Sequence, residues 1–321
     1  MAADIPNYLF SASRWAPSHD LQSLATLALH RVISLLGLDP FLASSAPFIR
    51  HYTFFVAGCA IYATASYALF ALLNAAWPAF FALGVKPSTG ERWEDKRMYV
   101  VANLLKSAVL GMQALSPSWW FYSAQEYACN LAPLGAGVSR AVGVPWGVEV
   151  LPCNWNVDRG HDDFVKAISA CYILTDVVAL ATVPRLPLST KIHHWATFAF
   201  GLWVLAVPIA PTPVLHKLLM YGAFSTLAFP VNAFLALRCT NPESPAVSAL
   251  AGASLALYVG VCAVNWGLHI LWLASGSVLG TVSAAEYVYA ASLYLFVRDD
   301  LILMGWLASY GKKRGGGKSS R

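Results

Sequence analysis

Residues 171–195, CYILTDVVALATVPRLPLSTKIHHW, predict two membrane-spanning helices joined by a short connection. The first part is an apolar run that holds a single acidic residue, Asp176. A proline-containing segment separates it from a second apolar run, which opens with His193 and His194. A charged group is costly in hydrocarbon, so such side chains normally face the interior of a helix bundle or a water-filled cavity. The stretch therefore predicts a polytopic membrane protein with a polar interior.

The composition of the whole chain agrees with this fold class. Of its 321 residues, 58% are hydrophobic and only 12% are charged, whereas a soluble domain carries about 25% charged residues. The absence of alternating polar and apolar strands in the sequence disfavours a β-barrel. The net charge is +5, and the densest basic cluster is the tail KKRGGGKSSR. Nucleic acid is therefore not an expected partner.

We expect an all-α membrane bundle of about seven transmembrane helices, because about seven segments approach the length that crosses a bilayer. The predicted spans are Thr53–Val85, Met98–Tyr122, Phe164–Val183, Thr190–Ala210, Val214–Leu237, Ala246–Ser275 and Leu279–Val297. Pro78 is expected to kink or end the first span. The last is expected to end at Val297, which keeps Arg298, Asp299 and Asp300 at the interface, with the following residues along the surface.

The distribution of lysine and arginine predicts the orientation. Connections on the side of the C-terminus carry about twice as many of these residues as those on the other side, which indicates a lumenal or extracellular N-terminus and a cytosolic tail. The long loop Ser123–Asp163 then lies outside the cytosol, and its Cys129 and Cys153 could pair there. An interfacial helix is expected at Leu21–Leu36.

Polar side chains recur at one depth beneath the cytosolic face. From the helical rise, Asp176 lies about 10 Å and Asn232 about 9 Å from the cytosolic end of the helix that carries each. Lys106 lies about 12 Å from the cytosolic start of its own helix. His193 and His194 lie in the first turns of the next span. Adjacent helical residues project about 100° apart, so the two histidines cannot face one partner, and the deeper His194 is expected to approach Asp176. We therefore expect Lys106, Asp176, Asn232 and one of the two histidines to converge on a pocket open towards the cytosolic leaflet.

Other polar residues lie deeper in the predicted spans. Glu286 falls nearer the midplane, whereas Asn265 and His269 lie one turn apart in the outer half, where an interhelical hydrogen bond is expected. A simpler interpretation stays open for the polar side chains beneath the cytosolic face. Lys106 would extend to the interface, and Asp176 would form a structural ion pair. An interfacial histidine pair is a further alternative.

The quoted stretch resembles the TLC-domain family, which includes ceramide synthases and several lipid-homeostasis proteins. The resemblance lies in an aromatic-x-x-x-Asp pattern, a short turn and a His-His pair. The segment YGAFSTLAFPVNAFLAL is similar to the Ser-Thr…Asn helix of that family, with Ser225, Thr226 and Asn232 in comparable places. The resemblance covers roughly Tyr99 to Tyr310.

This resemblance completes the expected domain organisation. Residues 1–51 form an N-terminal segment with the interfacial helix, and 52–98 form the first transmembrane helix and a cytosolic loop. Residues 99–310 form a TLC-like transmembrane domain, and 311–321 form the basic cytosolic tail. The endoplasmic reticulum is the expected location, and the plasma membrane is the alternative.

The resemblance implies membrane lipids as ligands and leaves two functions open. The first is a lipid-homeostasis protein that binds a fatty-acyl or sphingoid lipid in a cavity open to the cytosolic leaflet. The second is an N-acyltransferase that uses acyl-CoA and a long-chain base. The His-Asp-x-x-Asp pattern that ceramide synthases carry after the His-His helix has no match in the sequence, which favours the first.

The two functions share one set of candidate residues. In the enzyme, His193 or His194 would act as general base or accept the acyl group, and Asp176 would orient or stabilise that imidazole. The candidate substrate-binding residues are Lys106, Ser225, Thr226, Asn232 and Glu286. No metal or cofactor is expected, acyl-CoA would be a substrate, and a homo-oligomer is possible.

Overall fold

The structure, a computed structural model, describes residues 47–82, 94–116, 159–184, 186–207, 213–278 and 284–315. Within these ranges the chain is almost entirely helical and forms no strand, so the all-α prediction is confirmed. The helices of these ranges are α1 (Pro47–Ala76), α2 (Pro78–Ala82), α3 (Glu94–Ala114), α4 (Arg159–Thr182), α5 (Leu188–Ala206), α6 (Pro213–Thr226), α7 (Phe229–Thr240), α8 (Pro245–Val278) and α9 (Ala284–Gly315).

Several helices have the length and apolar character of membrane spans, which makes the chain an integral membrane protein. Among the described residues, the segments His51–Ala76, Val165–Thr182 and Pro245–Ala274 are each long and apolar enough to cross a bilayer. A fourth crossing results if α6 and α7 form one bent span. The other predicted spans coincide with α3, α5 and α9. The number of seven spans and their orientation stay predictions.

Two helix breaks coincide with prolines. The break before α2 falls at Pro78, as expected. The predicted span Val214–Leu237 is not one continuous helix, because it divides into α6 and α7, which meet at 44°. Pro230 in the first turn of α7 has no N–H to continue the hydrogen bonds of α6. The Ser107 hydroxyl on α3 donates a hydrogen bond of 2.8 Å to the carbonyl of Phe229, which fixes the position of this break.

The last helix extends well beyond its predicted end. α9 continues through Val297 to Gly315, and Leu307 packs with Val231 and Phe234 of α7 in one buried cluster. The predicted end of the helix at Val297 is therefore wrong, and the position of the segment along the membrane surface stays a prediction. Leu303, Met304 and Trp306 are partly buried against the same cluster, and this packing favours the continuous helix.

Close packing of α4 against α5 positions the polar interior. Ile173 and Leu174 of α4 share a core cluster with Phe54 and Phe55 of α1. On the facing side, a Cβ atom at Gly201 of α5 would lie 2.5 Å from Cδ1 of Ile173. Glycine at this position therefore allows the two helices to approach closely, with the histidine pair of α5 beside Asp176 on α4.

Three sequence-based predictions fall outside the described residues. These are the interfacial helix Leu21–Leu36, the pairing of Cys129 with Cys153 in the long loop, and the end of the basic tail.

Candidate functional site

A buried ion pair forms the centre of the polar interior. Asp176 on α4 is completely buried, and its Oδ1 accepts a hydrogen bond from the Lys106 ammonium of α3. The side chain of Lys106 is itself mostly buried, with 16% exposure. A buried carboxylate needs such a partner, because an unpaired charge in the interior is strongly unfavourable. The structural ion pair that the simpler interpretation offered for Asp176 is therefore present, and Lys106 is its partner.

His194 contacts the same aspartate through both ring nitrogens. Its Nδ1 lies 3.0 Å from the main-chain carbonyl oxygen of Asp176, and its Nε2 lies 3.6 Å from the carboxylate oxygen Oδ1. A carbonyl oxygen only accepts hydrogen bonds, so Nδ1 is assigned as the donor. The prediction that His194 is the histidine closer to Asp176 is confirmed.

His193 points in a different direction, as the helical spacing predicted. Its Nδ1 lies 3.4 Å from Oδ2 of Asp299 on α9. This distance is short enough for an ion pair, but Nδ1 forms no hydrogen bond with the described residues. Its ring packs edge-on against Phe296 of the same helix, with the centroids 5.3 Å apart. The two adjacent histidines therefore interact with carboxylates on two different helices.

Lys106, the two histidines and Asp299 line a cavity of about 340 Å³ inside the bundle, which we call the polar cavity, whereas Asp176 does not line it. Side chains from every helix between α3 and α9 contribute to its wall. Of the candidate residues, it is lined by Lys106, His193, His194, Ser225 and Asn232. Its volume lies at the lower end of the range for small-molecule sites, about 300–1,000 Å³. The predicted convergence on one pocket is confirmed for Lys106 and Asn232; both histidines line the cavity where one was predicted, and Asp176 does not line it.

A smaller apolar cavity of about 80 Å³ lies beside it, between α4, α5, α6 and α9. Its wall includes Phe200, Leu219 and Gly222. Tyr172 and His193 line both cavities, so the polar and apolar spaces meet at these two side chains. The interior therefore has a polar and an apolar compartment in contact.

Two candidate substrate-binding residues are not brought to the polar cavity. Glu286 accepts a hydrogen bond of 2.7 Å from Lys217 of α6, and it does not line the cavity. Thr226 is fully buried, and its hydroxyl donates to the carbonyl of Ala223 within its own helix. The hydroxyl of Thr226 is thus bonded within its own helix. Glu286 pairs with Lys217, whereas the sequence analysis had placed it among the residues that bind substrate.

The structure adds a buried carboxylate that the sequence analysis assigned to the interface. Asp300 is buried and accepts three hydrogen bonds. The hydroxyls of Tyr221 and Tyr258 donate at 2.7 Å and 2.5 Å, and the indole of Trp266 donates at 3.2 Å. Donors from α6 and α8 offset the cost of burying this charge. The sequence signal was the acidic pair Asp299 and Asp300, which lies between two apolar runs of α9.

The pair Asn265 and His269 is divided between two environments. His269 is bonded to the hydroxyl of Tyr289 on α9, which confirms its interhelical hydrogen bond. Asn265 instead lines the polar cavity, and its Oδ1 has no hydrogen-bond partner among the described residues. The expectation of an interhelical bond is therefore wrong for Asn265.

The arrangement suits the binding of an amphiphile and contains groups able to transfer protons. Within the described ranges, no group of three or more His, Cys, Asp or Glu side chains could hold a metal ion. Comparison of the chain with models of known families, with curated proteins and with solved structures finds no match in any of the three. Fold and site together define an integral membrane helical protein with an internal polar cavity.

Proposed function

We propose that the protein acts in lipid homeostasis by binding a fatty-acyl or sphingoid lipid inside its helical bundle. The hydrocarbon chain occupies the apolar cavity, and the polar head occupies the larger cavity. The observation that carries the proposal is the contact between the two cavities at Tyr172 and His193. Small-molecule sites generally combine an apolar wall with a few convergent polar groups. The resemblance of the sequence to TLC-domain proteins supports the same ligand class.

The proposal includes a location and an orientation. The protein is a seven-span protein of the endoplasmic reticulum, with its N-terminus in the lumen and its tail in the cytosol. The distribution of lysine and arginine supports this orientation. The polar cavity then opens towards the cytosolic leaflet, from which a lipid enters.

Filling the apolar cavity tests the proposal. Gly222 lines this cavity, and a Cβ atom there would have no other heavy atom within 4 Å. Gly222→Leu therefore adds a side chain at the wall of the cavity, and its Cβ atom contacts no neighbour. Each methylene of a ligand chain contributes about 0.8 kcal/mol, so exclusion of two weakens binding by roughly tenfold. The measurement is the affinity of the purified full chain in nanodiscs for a fluorescent long-chain fatty acid.

The matched control for this experiment is Gly252→Leu on α8. A Cβ atom at Gly252 is equally unhindered, but this glycine lines neither cavity. The control variant is expected to bind the fatty acid like the wild type. Equal affinity of a folded Gly222→Leu variant and the wild type would contradict the proposal.

An N-acyltransferase is the second candidate, and the position of His193 between the two cavities favours it. The carbonyl of an acyl thioester bound across both cavities would lie near this imidazole. The imidazole would take the acyl group and release the CoA thiol, and a long-chain amine would then take the acyl group and return the free imidazole. Acyl-CoA turnover by the purified protein, followed as thiol release with and without a sphingoid base, tests this candidate.

A further inference from the structure

The wall of the polar cavity includes oxygen acceptors that lack a cation among the described residues. Asp299 has no lysine or arginine partner among the described residues, and its Oδ2 lies 3.4 Å from the Nδ1 of His193. Asp300 lies beside it in sequence and also lines the cavity. Asn265 is only 3% exposed, and its Oδ1 has no partner in the described part of the chain. A buried acceptor in this state is stabilised by a ligand that donates hydrogen bonds.

A guanidinium lies further along the same cavity. Arg238 of α7 lines the cavity, and its guanidinium stacks over the ring of Trp306, 4.1 Å from the ring centroid. No carboxylate of the described residues forms an ion pair with Arg238, and its Nε has no hydrogen-bond partner there. An arginine fixed on an aromatic ring and without a carboxylate is suited to bind phosphate.

The order of these groups along the cavity indicates which group a bound ligand meets first. Asp299 contacts His193, which borders the apolar cavity. Trp306, beneath the guanidinium of Arg238, lies seven residues beyond Asp299 on α9, about 10 Å along the helix axis. A ligand that extends from the apolar cavity therefore meets the carboxylate first and the guanidinium second.

Resting on the proposed function, we infer that the ligand is a long-chain amine that carries a phosphate beyond its amine. The chain lies in the apolar cavity, the ammonium is bound by Asp299 and the Oδ1 of Asn265, and the phosphate is bound by Arg238. A long-chain amine without phosphate leaves Arg238 without a counter-charge, and an alkyl phosphate leaves Asp299 without one. A choline phospholipid has its phosphate before its cationic nitrogen, the reverse of the order in the cavity.

Binding of three amphiphiles to the full chain in nanodiscs tests this assignment. The probes are sphinganine phosphate, sphinganine and hexadecyl phosphate, with lysophosphatidylcholine as the amphiphile of reversed order. A charge-assisted hydrogen bond changes affinity by about tenfold or more. We expect sphinganine phosphate to bind about tenfold more tightly than each of the other three. Equal affinities for the first three probes, or tighter binding of lysophosphatidylcholine, would overturn the assignment.

Single substitutions separate the two subsites. Asp299→Asn and Asn265→Leu are expected to weaken both amines about tenfold and to leave hexadecyl phosphate unchanged. Arg238→Gln is expected to weaken both phosphates and to leave sphinganine unchanged, and Arg238→Lys is expected to restore part of the loss. Arg298→Gln, at an exposed neighbour of Asp299 on α9, is the control and changes none of these affinities. If each variant weakens the affinity for every probe to the same extent, the cavity does not have separate subsites for the amine and the phosphate.

The result also separates this assignment from the proposed function. If the fatty acid binds and Gly222→Leu weakens it, but no amine probe binds more tightly than hexadecyl phosphate, only the assignment of the head group fails. If neither the fatty acid nor any other amphiphile binds the folded protein, both fail.

Discussion

His194 contacts Asp176 twice, through the main-chain carbonyl at 3.0 Å and through the carboxylate at 3.6 Å. The first contact fixes the orientation of the imidazole, since the carbonyl can only accept a hydrogen bond from Nδ1. The second leaves Nε2 beside the carboxylate oxygen that also receives the Lys106 ammonium. The ring is therefore held in one position at the wall of the polar cavity, where it can orient a ligand or react with one.

Substitution of His194 distinguishes these two roles. Glutamine retains hydrogen-bonding groups but cannot act as a nucleophile or titrate. If the protein binds lipid, we expect His194→Gln to retain affinity within about threefold of the wild type and His194→Ala to lose about tenfold. If it is an acyltransferase in which His194 acts as the general base and His193 takes the acyl group, both variants lose thiol release from acyl-CoA to the same extent. Wild-type lipid binding and turnover in a folded His194→Ala variant would exclude both roles.

The ion pair between Lys106 and Asp176 predicts strong coupling between two substitutions. Asp176→Asn and Lys106→Met each leave one group without its partner, and each is expected to cost about 3–5 kcal/mol of stability. The double variant removes both charges and is expected to cost clearly less than the sum. Thermal unfolding of the four proteins in detergent measures this coupling. Lys191→Met, at an exposed position of α5, is the control, and additive losses in the cycle would contradict the ion pair.

The three donors around Asp300 predict a specific loss of stability. Tyr258→Phe removes the hydroxyl that donates at 2.5 Å and leaves the buried carboxylate with fewer partners. We expect a loss of about 1–3 kcal/mol in the free energy of unfolding, measured by denaturation in mixed micelles. Tyr294→Phe removes an equivalent hydroxyl at a position with 68% exposure and should leave stability unchanged. Equal stability of the two variants would argue against the hydrogen bond to Asp300.

The predicted orientation is tested by labelling in sealed vesicles. A membrane-impermeant thiol reagent should modify a cysteine introduced at Ser320 from the cytosolic side only. It should modify Cys129 and Cys153 from the opposite side only, after reduction. The physical reason is the bias of lysine and arginine towards cytosolic connections. Modification of the loop cysteines from the cytosolic side would reverse the orientation.

Features that depend on neighbouring residues along one helix were predictable. The helix positions follow from apolar length, and the break at Pro78 follows from its missing N–H. The different partners of His193 and His194 follow from the 100° between adjacent residues. The approach of His194 to Asp176 was predicted because His194 lies deeper than His193 and is better placed to reach the preceding helix.

Features that depend on several helices together were not predictable in the same way. The burial of Asp300 is favourable only because hydroxyls and an indole from α6 and α8 reach it. The orphaned oxygen of Asn265 and the ion pair of Glu286 likewise depend on which helix faces each side chain. A polar or charged side chain whose burial is unfavourable on an isolated helix can therefore be buried stably in the bundle. The sequence of its own helix does not indicate which partners will bind it.

By itself the sequence determined an all-helical membrane protein and the polar residues that had to avoid lipid. The tertiary structure decided which of them meet, since pairing requires atoms from different helices within a few ångströms. It also decided where the interior stays open: the break between α6 and α7 and the packing of α5 on α4 leave a polar and an apolar cavity in contact at His193. Hydrophobic segments specify their own burial by composition, but a cavity is the space that packing leaves unfilled, and no single segment encodes it.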